Sequence, residues 1–299
     1  MSFFDVVYSN TKNTLKRMKP IRALTSKIQR IVVSRAEVLE LTRLIENNRM
    51  VVLRPYLEGN ATGHLVAHEL MREFLDGYQT IGVRKTTMAK IATPSSAVLL
   101  RYPLGLLAIP STYDEYLSAV RKQTRKRIRK AEDEGYIFKE FAWNDHLEDI
   151  FKINTSKEVR SGGVMLGWYR EPVKPRYLSN EEQYYHKYYG IFKDGNLLAY
   201  LYLIVCGDCC FFKHIMGHAD HLKNGVMYYL ISCVVRTYTG HSHVKWLKYG
   251  ILPDGAKGGT IDFRENVRFK GHAIFLDLEN DQELLKYSRR VQALGLINV

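Results

Sequence analysis

The stretch from Tyr188 to Tyr249 limits the possible folds more than any other. Tyr188–Phe192 and Leu197–Cys206 are apolar, aromatic-rich runs joined by Lys193-Asp194-Gly195-Asn196, and Gly207-Asp208 joins the second run to a third, Cys209–Gly217. Short loops carrying Asp-Gly or Gly-Asp suit hairpins, whose central residues need positive φ. The pattern therefore predicts a three-stranded antiparallel meander. After the loop 217–225, Met227, Leu230, Ile231 and Val234 recur at helical spacing over Val226–Thr237, and Lys245–Tyr249 is strand-like again. A meander followed by a crossover helix and another strand gives a mixed sheet. The fold class expected is α/β (α+β), a mixed sheet flanked by helices.

Upstream lies the most unusual segment, Ser111–Ile137. Ser111 or Thr112 can cap a helix with Glu115 in its first turn, and Gly135 can stop it. Leu117, Val120, Thr124, Ile128 and Ala131 repeat at three or four residues, which predicts one long helix with a narrow apolar stripe. Seven of the ten residues 121–130 are cationic and none is acidic. Such crowding costs an isolated helix a few tenths of a kcal/mol per neighbouring pair, so an anionic or functional neighbour is expected. The net charge is +13, and residues 1–35 and 121–130 carry +7 each, leaving the rest slightly acidic. Two local patches thus make the chain basic, and they favour nucleic acid, anionic lipid, an acidic carrier protein or a phosphorylated cofactor. A solvated face that aids solubility is the alternative.

Residues 1–30 form a basic helical segment interrupted at Pro20, a candidate for peripheral membrane contact or for packing on the protein's own surface. Between residues 31 and 110, Val51–Arg54 and Ala97–Leu100 read as strands and His64–Gly77 as a helix. A second helix is expected over 145–160, with Leu147, Ile150, Phe151 and Ile153 inward. No run approaches the roughly 20 apolar residues of a spanning helix, so a cytoplasmic protein, in one option membrane-peripheral, is expected. The four cysteines cluster at 206, 209, 210 and 233, which points to reduced thiols. Residues 209 and 210 of a strand point to opposite faces, so Cys206-x-x-Cys209-Cys210 is a poor metal motif, and no metal is expected.

Three pieces together resemble the FemABX and related branch of the GNAT acyltransferase superfamily. Thr124-Arg125-Lys126-Arg127-Ile128-Arg129-Lys130-Ala131 through Gly135 is similar to that branch's basic linker helix. Gly190–Tyr200 resembles its Asp-Gly hairpin, and Gly259–Gly271, with Phe263-Arg264, resembles its C-terminal segment in which an aromatic–Lys pair begins a short helix, Arg264 standing where that branch often has Lys. The resemblance spans about residues 110–275. It implies two GNAT-like halves joined by a basic helix: a basic N-terminal segment 1–30, a degenerate half 31–110, a linker helix 111–137 and a catalytic half 138–299. It further implies two central strands that splay apart, with a helix N-terminus beside the opening to receive a donor. Unsatisfied amides and the helix dipole independently favour a phosphate there.

The implied function is an acyl- or aminoacyl-transferase acting on an amine or hydroxyl acceptor, with acyl-CoA, an acyl carrier protein or aminoacyl-tRNA as donor and cell-envelope or polysaccharide biosynthesis as a setting. The usual CoA-binding loop Q/R-x-x-G-x-G/A is absent from 221–226. His221, Lys223, Asn224, Gly225 and Val226 are the candidate donor-binding residues. Direct transfer needs a base and a group that polarises the carbonyl oxygen; His214 is the candidate base, with His218 and His221 as alternatives, and Arg264 the candidate donor contact. Arg160, Arg125 and Arg129 are candidates for substrate binding, with helix capping the alternative for Arg160. The competing expectation is a non-catalytic protein that binds RNA or a membrane through its basic patches.

Overall fold

The structure is a computed structural model. It describes residues 103–160, 163–178, 180, 184–206, 209–240, 243–252 and 258–277, and the backbone of three further strands, 50–53, 80–81 and 97–100. The expected helices at 1–30 and 64–77, the Gly207-Asp208 turn and the loop 253–257 lie outside these residues.

The expected mixed sheet flanked by helices is the fold observed. Its strands are β1 (Met50–Leu53), β2 (Thr80–Ile81), β3 (Ala97–Leu100), β4 (Leu104–Ala108), β5 (Ile137–Glu140), β8 (Tyr184–Lys193), β9 (Asn196–Cys206), β10 (Cys209–Gly217), β11 (Trp246–Ile251) and β12 (Lys270–Asp277); β6 (Val159–Arg160) and β7 (Gly163–Val164) form a separate hairpin. The order across the main sheet is β2-β3-β12-β4-β11-β10-β9-β8-β5, with β1 also pairing β12. β8, β9 and β10 are the antiparallel meander, and β11 runs parallel to β10. The helices are α1 (Tyr113–Ala119), α2 (Lys122–Asp133), α3 (Leu147–Thr155), α4 (Val226–Tyr238) and α5 (Gly259–Asn266).

Strand alternation divides the core in two. Along β9, Tyr200, Tyr202 and Ile204 face one side with Trp143 and α3, while Ala199, Leu201, Leu203 and Val205 face the other with α2 and α4. One face is therefore aromatic and the other aliphatic. The sequence of α4 is rich in β-branched and aromatic residues, which cost up to about 0.7 kcal/mol each in helix propensity. Burying Leu230, Ile231, Val234 and Val235 completely contributes about 1.5–3 kcal/mol each, so packing outweighs propensity.

The single helix expected over 111–137 is two helices. Thr112 and Glu115 form the expected reciprocal cap of α1, but Val120 and Arg121 are extended and break the run. The carbonyls stranded at the end of α1 are taken by Arg125, whose Nη1 donates to Leu117 O at 2.9 Å, to Ser118 O at 3.3 Å and to Val120 O. The break brings Tyr116 and Val120 from α1, and Thr124, Ile128 and Ala131 from α2, into burial. The second helix is shorter than expected: a 3-10 turn at 143–146 precedes α3, and Arg160 lies in the β6–β7 hairpin.

Two bulges shape the centre of the sheet. The β9–β10 register slips between Phe212 and His214, and the β4–β11 register slips between Lys248 and Ile251. Gly250 sits in the second bulge at φ +63°. Bulges bend and locally unpair a strand. Among the described residues the β10–β11 ladder accordingly contains Cys209–Trp246, Cys210–Leu247 and Phe211–Lys248, and no described strand continues it beyond Phe211.

Gly225 joins the 3-10 turn Ala219–Asn224 to α4 at φ +85°, and a Cβ there would lie 2.3 Å from the carbonyl oxygen of Arg127 in α2. Gly225→Ala therefore combines left-handed strain, about 1–2 kcal/mol, with a clash costing about 1–3 kcal/mol. Gly135 has φ +78° and open space around it, so Gly135→Ala carries the strain alone. Urea unfolding should find the first variant less stable than the second; equal losses would show that α2 does not press on the start of α4.

Candidate functional site

The opening between β10 and β11 is bordered by the β10–α4 connection on one side and by the end of β11 and α5 on the other. The His218 N–H donates to Leu198 O in β9 at 2.8 Å, so by alternation the amides and carbonyls of Ile215 and Gly217 are directed away from β9, toward the opening. Arg160 takes the Gly217 carbonyl through Nη1 at 2.9 Å and secures itself through Nη2 to Ile153 O at the end of α3 and to Ser156 Oγ. Burial lowers its pKa from the usual guanidinium value. Its donors thus clamp α3 to the rim.

On the opposite border Arg264 donates through Nη1 to Tyr249 O at 3.1 Å and through Nε to Thr260 O, and its guanidinium lies 5.4 Å from the Tyr249 ring centre. It supports the β11 bulge and ties α5 to it. Phe212 and Tyr249 approach to 5.6 Å between ring centres and both contact Phe269, filling the first step of the opening on the aliphatic side. Burial pushes the Tyr249 hydroxyl up to about 12, and the nearby Tyr169 hydroxyl adds to this against the opposing pull of Arg264.

His214 stands on β10 just past the bulge, on the aromatic face. Its ring stacks on Tyr202 at 5.9 Å, meets the edge of Trp168 at 5.5 Å, and places Nδ1 3.4 Å from the Tyr169 hydroxyl. Burial raises the Tyr169 pKa, so the phenol keeps its proton. In the tautomer whose Nδ1–H donates to Tyr169, Nε2 carries the basic lone pair, the arrangement that a general base requires. Arg176 covers the Tyr202 ring at 4.5 Å and the Trp143 ring at 4.2 Å. Behind Tyr202, His186 bonds the Tyr202 hydroxyl at 2.8 Å. Burial first, and then the charges of Arg176 and Lys213, depress His186 to about 4.

The residues at the start of α4 are arranged differently. His221 Nδ1 lies 2.7 Å from the Tyr136 hydroxyl, which also accepts from Asn224 Nδ2 at 3.1 Å, and Lys130 reaches Asn224 Oδ1 at 3.3 Å. These side chains fasten the turn to α2 and Tyr136. Burial and His218 lower the pKa of His221. Val226 is buried, Gly225 abuts Arg127, and Lys223 is exposed. No side chain caps α4, so its first amides supply the positive end of the dipole. Arg127 lies beside this terminus, its Nη1 2.5 Å from the Tyr228 hydroxyl and its guanidinium 4.8 Å from the ring centre; Tyr228 in turn meets Phe263 of α5 edge-on.

The expected residues therefore fall into three places. His214 is beside the opening on the aromatic face, Arg160 and Arg264 clamp its rims, and His221, Asn224, Gly225 and Val226 build the turn at the α4 end. Arg125 caps α1, while Arg129 lines a small cavity of about 170 Å³ with Tyr113, Glu132 and Arg236, between α1, α2 and α4. Sequence reasoning missed Tyr169, Trp168, Arg176, Tyr249 and Arg127. The first three lie in an irregular segment with no periodicity to announce a contact with β10. Cys209 and Cys210 face different cores, and among the described residues no group of three or more His, Cys, Asp or Glu is placed to hold a metal.

No protein-family model matches the chain, and no curated protein sequence does. Solved structures to which it is similar include FemX, at 10% identity over 73% of this chain and 68% of that one with a TM-score of 0.46. Another is L-PGS from Bacillus licheniformis, at 12% identity over 82% of each chain with a TM-score of 0.42. A GCN5-related N-acetyltransferase from Kribbella flavida is similar at 13% identity over 70% and 60% of the chains, with a TM-score of 0.33. Neither donor nor acceptor follows from likenesses of this degree.

His186 gives a pH dependence of stability. Its folded value of about 4 lies below the ordinary value of about 6.5, so between those limits the unfolded chain binds the extra proton. The contribution is fully present above about pH 6.5 and is lost as pH falls toward 4. Urea unfolding between pH 4.5 and 7 should show this slope, and His186→Gln should flatten it; an unchanged slope in the variant would assign the proton to another group.

Proposed function

We propose that the chain is an acyl- or aminoacyl-transferase whose donor enters the opening between β10 and β11. The observation that carries the reading is the end of the β10–β11 ladder at Phe211–Lys248. Amides freed by that parting can hold an extended donor arm by backbone hydrogen bonds, as a missing strand would. The uncapped start of α4, with Arg127 beside it, suits an anionic group on the donor's far end. His214, on the aromatic face, is the proposed base, and Tyr169 holds its ring in the productive tautomer.

In this reading an amine or hydroxyl of the acceptor attacks the donor's carbonyl carbon. Its nitrogen or oxygen bonds to that carbon as the bond to the donor's sulfur or oxygen breaks. The acceptor's proton passes to Nε2 of His214, and the leaving thiolate or alkoxide is protonated in turn. Acyl-CoA, an acyl carrier protein and aminoacyl-tRNA are the donor classes proposed, and cell-envelope or polysaccharide synthesis in the cytoplasm is the proposed setting. A division into two GNAT-like halves belongs to the same proposal.

One observation favours a second reading. Lys122, Lys126 and Arg129 are exposed along α2, opposite its buried stripe of Thr124, Ile128 and Ala131. A solvent-facing cationic row is what a purely RNA-binding or membrane-binding protein would use.

Labelled acetyl-CoA, acyl carrier protein and aminoacyl-tRNA, each offered with amine and hydroxyl acceptors, discriminate between the two. Transfer is expected with one donor class, and His214→Ala should lower kcat by about 10²–10⁴-fold with thermal unfolding nearly unchanged. Full turnover in that variant would remove His214 from the chemistry. Absence of turnover with every donor, together with salt-dependent RNA binding, would establish the second reading instead.

A further inference from the structure

Seven large apolar side chains stand in solvent among the described residues, and five of them fall within one stretch: Val159 (55% exposed), Val164 (68%), Leu166 (60%), Trp168 (50%) and Tyr177 (83%). Val159 and Val164 are directly paired in the β6–β7 hairpin, so they project from the same face of it. Among the described residues that hairpin pairs with no strand of the main sheet. It is nevertheless anchored: Arg160, beside its turn, donates to Ile153 O at the end of α3 and to Gly217 O of β10, while Met165 N continues the hairpin's own pairing to Glu158 O at 2.9 Å. The apolar side chains are thus held outward on a fixed support.

Residues 157–178 contain five cations, Lys157, Arg160, Arg170, Lys174 and Arg176, and two acids, Glu158 and Glu171. Lys157, Arg170 and Lys174 are exposed in the same stretch as the apolar side chains; Glu158 is partly neutralised by Arg170 at 3.8 Å. Aliphatic tips beside Trp and Tyr with a cationic surround are the chemistry favoured at the level of lipid headgroups. We propose that this surface docks on an anionic lipid bilayer, with Val159, Val164, Leu166, Trp168 and Tyr177 entering the interface and the cations meeting the headgroups.

The alternatives fit less well. A second copy meeting this face symmetrically would juxtapose two such cationic segments on two chains of net charge +13. A protein partner needs about 800 Å² of shape-matched surface on each side, whereas separate tips on a hairpin and its adjoining loop need no matching shape to enter lipid. Docking here would also bring the interface next to His214, whose ring Trp168 touches; that consequence rests on the transferase reading, while the docking does not.

The test uses the full chain with vesicles of about 30% phosphatidylglycerol in phosphatidylcholine, with no donor present. The expected results are co-sedimentation that weakens with added salt, and a blue shift of tryptophan emission that disappears in Trp168→Phe. Val164→Ser combined with Leu166→Ser, both at exposed positions, should weaken partitioning roughly tenfold or more while leaving urea unfolding unchanged. Protein that stays in the supernatant, or a double variant that binds like the parent, overturns the proposal. A dimer in solution that the double variant dissociates overturns it in favour of a second copy. Intact vesicle binding in a protein that transfers no acyl group in the separate donor assay would instead count against the transferase reading alone.

Discussion

Adjacent parallel strands ordinarily stay hydrogen-bonded along their common length, because a buried amide or carbonyl without a partner costs about 1–3 kcal/mol. β10 and β11 separate after three residue pairs, and the proposed transfer chemistry depends on that separation. It is built into both strands. The β10 bulge at Phe212–His214 and the β11 bulge at Tyr249–Gly250 lie at the same level, so each strand bends where the other does. The bends are secured locally: Arg160 takes the Gly217 carbonyl, and Arg264 takes that of Tyr249, which lies on the β4 side of β11 beside Gly105. Two arginines from opposite flanks thus hold the rims, which gives them an architectural task whatever else they touch.

The aromatic and aliphatic faces of the meander have different work. The aliphatic face is a close-packed support, where α4 and α2 bury Leu, Ile and Val against β9 and fix the start of α4 beside the opening. On the aromatic face, tyrosines and histidines carry polar tips that need partners, and they find them in one another: His186 with Tyr202, Tyr169 with His214, and Tyr200 with the buried Asn154 at 2.7 Å. Such a network orients rings as well as filling space. The His214 ring on that side is therefore held in orientation by Tyr202 and Trp168, while the helix side supplies dipole and charge.

The meander, its Asp194-Gly195 turn, the crossover helix and β11 were readable because they rest on local signals: alternation along β9, Asp194-Gly195 at the hairpin, and the stripe Leu230, Ile231, Val234. The parting of the strands was legible only through the family resemblance, since a bulge leaves no composition signal. The break between α1 and α2 was hidden for a related reason. Val120 fits the helical stripe, and the capping cation Arg125 sits several residues later among six other cations. Residues 167–177 carry no periodic signal because their value is entirely tertiary: Arg176 meets Tyr202 of β9, and Trp168 and Tyr169 meet His214 of β10, across long stretches of chain. Arg160 and Arg125 read as anion-binding candidates because a cation near a helix end has the same sequence signature whether it serves a ligand or the backbone.

Residue-resolved amide exchange is the most direct examination of the opening. Ile215 and Gly217 direct their amides away from β9, toward a side on which no strand of the described residues pairs with them, so both should exchange much faster than Cys210 and Leu247 and should slow when the true donor is bound. If Ile215 and Gly217 prove as protected as Cys210 and Leu247 in the free protein, the two strands are joined along their length, and no donor can lie between them.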